Sequence, residues 1–162
     1  MNRYQELCVL ATQYSKQFHE HADLCRNLAS QLIQEYAAYL SCPLESIEQV
    51  ELDRTLRPTE RNASLSQRVR VITDPEGFVH FAWHVNFDAG SYLYAAKELV
   101  TFGLRVAPGG GAVIREDKDF SIESQEHQTW QPFLEYLCRQ SHEGFSVPYG
   151  ERHSRIGFHD PQ

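Results

Sequence analysis

Residues 2–40 contain neither proline nor glycine; the first proline is Pro43 and the first glycine is Gly77. Nothing in that span interrupts a helix, and its apolar residues repeat every seven positions. Tyr4, Ala11, Phe18, Cys25, Leu32 and Tyr39 make one row, and Leu7, Tyr14, His21, Leu28 and Glu35 make a second, three residues on. Two mostly apolar rows at this offset mark one face of a long helix, of the kind that seats in a partner groove. About 37 helical residues at 1.5 Å each run roughly 55 Å, whereas a domain of this size is about 40 Å across. The helix must project, bend without a local signal, or be shared with a second chain. The expectation is a homodimer that shares this helix through Tyr4, Leu7, Ala11, Tyr14, Phe18, Leu28 and Leu32. The competing reading is a helical hairpin broken near Phe18–Asp23.

Beyond Pro43 the pattern changes to period two, the mark of a half-buried strand. Glu48–Leu56 alternates, with Val50, Leu52 and Leu56 on one face. Residues 57–64 are polar and read as a loop. Gln67–Thr73 and Phe78–Phe87 read as strands joined by Asp74-Pro75-Glu76-Gly77. Asp before Pro suits a type I turn, and Gly77 suits the left-handed bulge position after it. That register puts Val69, Val71, Val79, Phe81, Trp83, Val85 and Phe87 on the core face, and Arg68, Arg70, His80, Ala82 and His84 on the other. Tyr92, Leu93, Ala96, Leu99 and Val100 keep helical spacing ahead of Gly103, which suits a helix stop. Leu104–Ala107 and Ala112–Arg115 read as two strands, and a last helix starts near Thr129 with Pro132 in its first turn.

The expected class is therefore α+β, in the order α-β-β-β-α-β-β-α: a long N-terminal helix and an antiparallel sheet of about five strands with helices packed on one face. A single domain spans 1–143, comprising helix 1–41, the sheet with its inserted helix at 48–116, and helix 129–143. Residues 144–162 form a flexible or docking tail.

Composition narrows the function. The 162 residues carry 22 acids against 15 bases, a net charge of −7, and are 41% hydrophobic, too apolar for disorder. No apolar run reaches the ~20 residues that span a bilayer, and no signal-peptide core stands at the N-terminus, so a cytoplasmic protein is expected. No G-x-G-x-x-G, P-loop, G-x-S-x-G or H-E-x-x-H occurs, and Gly109–Gly111 precedes a strand rather than the helix a phosphate cradle needs. Neither an enzyme nor a cofactor is expected. The four cysteines form no C-x-x-C pair and read as reduced thiols. His21 with Cys25, and Cys138 with His142, have helical pair spacing and a chemically acceptable zinc set, but nothing in the sequence brings the two pairs together.

Charge is not uniform along the chain. Residues 51–70 hold five arginines (Arg54, Arg57, Arg61, Arg68, Arg70) against three acids, a local excess of +2. Arg57, Arg68 and Arg70, with His80 and His84, thus form a candidate face for an acidic partner or anionic ligand. Nucleic acid is a poorer fit, because phosphate affinity needs clustered bases and this face has no exposed aromatics for stacking.

The element order is similar to that of the small acidic dimeric chaperones of type III secretion, although the first helix here is far longer. The leading expectation is a cytoplasmic, non-enzymatic protein-binding module: an adaptor, a dedicated chaperone or an immunity-type inhibitor. The alternatives are a small ligand-binding or enzymatic domain using the Arg/His face, and a nucleic-acid accessory protein using the 54–70 arginines.

Overall fold

The N-terminal helix is unbroken. In the computed structural model, which describes residues 2–62, 70–88, 95–123, 127–148 and 156–159, α1 runs from Arg3 to Leu40. Asn2 caps it: the Asn2 side chain accepts from the Gln5 N–H at 2.9 Å, and the Gln5 side chain accepts from the Asn2 N–H at 3.0 Å. Ser41, in the left-handed region at φ 54°, ends it. No hairpin break occurs near Phe18–Asp23.

A single 3-10 turn, Leu44–Ser46, leads to β1 (Ile47–Leu52). Then come β2 (Pro58–Asn62), β3 (Ile72–Thr73), β4 (Val79–Phe87), β5 (Ala95–Val106), β6 (Ala112–Arg115) and β7 (Asp119–Ile122). Helix α2 (His127–Ser146) and β8 (Ile156–His159) complete the described chain. The sheet is antiparallel in the order β2-β1-β4-β5-β6-β7, with β3 against the start of β4 and β8 against the start of β5. Its spine is the long β4–β5 ladder, running from Val79↔Leu104 to Phe87↔Ala96.

Alternation along that spine decides which face is covered. Val79, Phe81, Trp83 and Val85 of β4 and Val100, Phe102 and Leu104 of β5 point to one face and are buried. Both helices pack there, α1 through Cys25, Leu28, Leu32 and Tyr36, and α2 through Trp130, Phe133, Leu134 and Leu137. Tyr36 stacks on Trp83 with ring planes 10° apart, and Phe102 meets both Trp83 and Phe133. Half-buried Val71 and Phe87 extend the same cluster; Val69, expected with them, lies outside the described residues, and the strand expected over 67–73 is reduced among them to Ile72–Thr73. A smaller cluster of Val50, Leu52 and Ala82 lies on the opposite face.

The α+β class and the one-sided helix packing hold, but the element order needs correction. The helix expected between Tyr92 and Phe102 is replaced, from Ala95 onward, by the twelve-residue strand β5. Ala96 and Val100 fit either period because they lie four apart. Glu98, a charged residue on the core face, concealed the alternation. Gly103, read as a helix stop, is a point of close approach instead: a Cβ there would sit 3.2 Å from Phe78 Cβ and 3.4 Å from His80 Cε1. Residues 58–62, read as loop, form edge strand β2, with Pro58 at the first position, where a ladder N–H is dispensable. β7 is an unexpected strand, β8 lies within the segment read as a tail, and the described residues form eight strands where about five were expected. The resemblance in order to the type III chaperones fails with the inserted helix. Finally, α2 begins at His127, so Pro132 lies inside the helix rather than in its first turn.

The Asp74–Gly77 turn forms as its sequence required. Gly77 has φ 83° and donates to the Asp74 carbonyl at 3.0 Å, and Ile72↔His80 is the register that follows. Asp74 Oδ1 accepts from the N–H groups of Glu76 (2.9 Å) and Phe78 (3.1 Å), while Oδ2 lies 2.8 Å from His80 Nε2. Partial burial works against ionisation of Asp74, but these donors outweigh it and hold the carboxyl below its ordinary range. A carboxyl depressed in the fold contributes stability above its unfolded pKa of about 4 and loses it as pH falls through the lower folded value. Urea unfolding from pH 7 down to pH 2 should therefore show wild type losing its margin over Asp74→Asn as the medium acidifies; a margin that stays constant with pH would contradict this role. Gly77→Ala should cost about 1–2 kcal/mol through the left-handed backbone alone.

Candidate functional site

Only half of α1 is covered. Residues 22–37 supply all of its buried positions, whereas residues 2–20 are exposed without exception. The exposed half is not polar: Tyr4 and Tyr14 are 74% exposed, Leu7 63%, Leu10 59% and Phe18 37%. Apart from Leu10, these residues continue, at the same heptad positions, the face that Cys25, Leu28 and Leu32 bury against the sheet. The apolar face thus leaves the domain without changing side, and among the described residues nothing covers it. At 1.5 Å per residue the arm extends roughly 28 Å. An isolated helix of this length is marginal in water, but this arm grows from an anchored helix and so avoids the nucleation cost.

Where the arm leaves the body, His21 fastens it. His21 Nε2 accepts the Val106 N–H at 3.1 Å and lies 3.8 Å from Cys25 Sγ, and the Cys25 thiol donates to the Leu104 carbonyl at 3.6 Å. Burial pushes the Cys25 thiol up to about 11, against a smaller opposing effect of the Val106 backbone, so it stays protonated and donates. Beside this joint opens a cavity of about 700 Å³ between α1 and the β5–β6 turn, lined by Gln17, His21, Leu24, Leu28, Pro108 and Ile122, among others. Leu24 is 54% exposed at its mouth.

The metal candidates separate. His21 and Cys25 are adjacent, but Cys138 lies close enough to Tyr39 to help raise its hydroxyl pKa, after the larger effect of desolvation. Tyr39 is fourteen residues beyond Cys25, roughly 21 Å along the helix. Among the described residues no three His, Cys, Asp or Glu side chains could hold a metal ion. His142, paired by sequence with Cys138, is exposed and adjoins Ser146.

The Arg/His face comes together only in part. Arg57 and Arg70 are exposed, and Arg68 lies outside the described residues. His80 and His84 do share the uncovered sheet face, but His80 is engaged by Asp74 and His84 stands between Glu48 and Leu99 in the ladders. The cations that gather on this face are two that sequence reasoning passed over. Arg105 and Arg115 place their guanidinium groups 4.5 and 4.1 Å from the centroid of the fully buried Phe78 ring. Arg115 binds Asp119 through two bonds (2.8 and 3.1 Å) and pairs with Glu76, and Arg105 donates to the Glu76 carbonyl at 3.0 Å. Hydrogen bonds from Arg115 are the main reason the Asp119 carboxyl is held low. These arginines are satisfied within the chain, and only the β5–β6 register brings them over Phe78.

Comparison of the chain with protein-family models, with curated proteins and with solved structures gives no match. No described helix is long and apolar enough to cross a membrane. Replacing His21 by Phe would keep the ring but leave the Val106 N–H without its acceptor, at a cost of about 1–3 kcal/mol. Chemical denaturation should show that loss; a change below about 0.3 kcal/mol would mean water replaces the imidazole without penalty.

Proposed function

We propose that this chain is a cytoplasmic, non-enzymatic protein-binding module, of the adaptor, chaperone or inhibitor kind, that works as a homodimer through the arm of α1. The observation that carries the reading is the uncovered apolar face at Tyr4, Leu7, Ala11, Tyr14 and Phe18. Monomeric proteins seldom leave so contiguous an apolar stripe in water, and such stripes mark association surfaces. The heptad spacing suits a helical partner, and the arm's flanking positions Cys8, Leu10, Ser15 and Gln17 are uncharged, so nothing on them repels a second helix. Four free cysteines accord with a reducing compartment.

The engagement of His80, Arg105 and Arg115 by partners within the chain favours this reading over an anion site on the sheet face. Light scattering at tens of micromolar should give a dimer. Leu7→Glu and Tyr14→Glu, both at exposed positions, should leave the circular dichroism of the folded body intact. Each should cost about 2–4 kcal/mol of association, as central interface residues do, which is roughly 30- to 1000-fold in dissociation constant. Because the contact is apolar, raising salt from 50 to 500 mM should shift that constant by less than about threefold, in contrast to the steep loss expected of phosphate binding. A monomer at these concentrations would sink the proposal.

A further inference from the structure

We infer that the two arms pair antiparallel, so that the N-terminal tip of each copy comes to rest at the mouth of the other's α1–β5/β6 cavity. The inference rests on the dimer reading and adds its geometry. It follows from what covers the helix face beyond the arm.

From Ala22 onward, the face that carries Tyr4, Leu7, Ala11, Tyr14 and Phe18 is occupied by the chain's own sheet. A parallel partner would continue along that line past residue 21 with its own α1 and sheet, into space this sheet already fills. An antiparallel partner ends at its own residue 1, where the covered region begins. Only the second arrangement lets the full stripe of both arms be buried.

Register follows from the heptads. Antiparallel helices set the first-row residues of one against the second-row residues of the other. The register that uses the whole stripe places Leu7 opposite Phe18 and Ala11 opposite Tyr14. It brings Tyr4 opposite His21, at the rim of the cavity beside Leu24. Small Ala11 against bulky Tyr14 in the central layers is a complementary pairing. The stripe offers on the order of 500 Å² of apolar surface per copy. Flanking side chains bring the contact toward the roughly 800 Å² per partner of a standard interface. The cavity, open in one copy, is then closed by the other copy's tip.

Cysteine cross-linking reads the orientation directly. In this arrangement Cys8 of one copy flanks Ser15 of the other, and neither position belongs to the stripe. Tagged wild-type chain should be mixed with the untagged double variant Cys8→Ser/Ser15→Cys and treated with a short bis-maleimide. The expected product, identified by mass, joins Cys8 of the tagged chain to the introduced thiol at position 15 of the untagged one, with little linkage within either chain type alone. A dimer whose links join Cys8 to Cys8 would overturn the antiparallel pairing while leaving the dimer standing. So would a dimer that gives no arm-to-arm link. A monomer by light scattering would assign the arm to a helix of another protein and overturn both. As an independent readout of the tip, Tyr4→Ala should weaken dimerisation about tenfold. Val9→Ala, also apolar and 47% exposed but on the opposite side of the helix, should leave it unchanged. Equal effects of the two would rule out the seated tip.

Discussion

One unbroken helix face governs this structure. A heptad row drifts only about 20° per seven residues along an α-helix, so the residues that anchor α1 to the sheet set, to within some tens of degrees, the direction in which the arm's apolar side points. Cys25, Leu28, Leu32 and Tyr36 fasten the covered half to β4 and β5, and His21 ties the joint to Val106. Without that anchorage the 2–20 segment would be a free peptide helix of marginal stability. With it, an apolar helical arm is held out from the body, and the proposed dimer is what would bury it.

The sheet supplies the rigidity on which that geometry depends. β4 and β5 pair through nine successive residues, and each is flanked on its other edge by two short strands, β1 and β3 on β4, β6 and β8 on β5. The inner face is dominated by aromatic contacts among Tyr36, Trp83, Phe102, Phe133 and Phe120. The outer face is closed by polar locks instead: Asp74 fixes the turn before β4, and Arg115 with Glu76 and Asp119 joins that turn to β6 and β7. Among the described residues, His80, Arg105 and Arg115 are engaged there in holding the hairpins.

What was legible in the sequence follows from how locally each element is determined. The uninterrupted helix, its stripe and the Asp74–Gly77 turn with its first pairs, Thr73↔Val79 and Ile72↔His80, all rest on residues close together in the chain, and they stand as read. The long ladder expected beyond that turn does not, because from Ala82 onward that edge of β4 pairs with β1, with Gln49 opposite Trp83 and Glu48 opposite His84. β5 was missed because its apolar residues at spacing four satisfy both periods and buried Glu98, bonded to Ser141 of α2 at 2.9 Å, reads as a solvent position. A non-local partner reversed that residue's meaning. β2 was missed for the complementary reason, since an exposed edge strand has no apolar pattern to display. The cavity could not be foreseen either, because its walls are α1 and the 106–112 turn, some eighty residues apart.

Charge makes the same case from a different side. The chain carries −7, yet the charged side chains of residues 2–20 cancel, Arg3 and Lys16 against Glu6 and Glu20. The excess negative charge therefore lies in the body. Two bodies side by side, as parallel arms would set them, would place like charge within reach across their shared base. Antiparallel arms would hold the bodies at opposite ends of a neutral rod some 25 Å long, about three screening lengths at physiological salt. At that separation self-repulsion is largely screened, and the apolar stripe can act without opposition. A neutral arm on an acidic body is thus what an antiparallel pair needs, and a parallel pair would gain little from it.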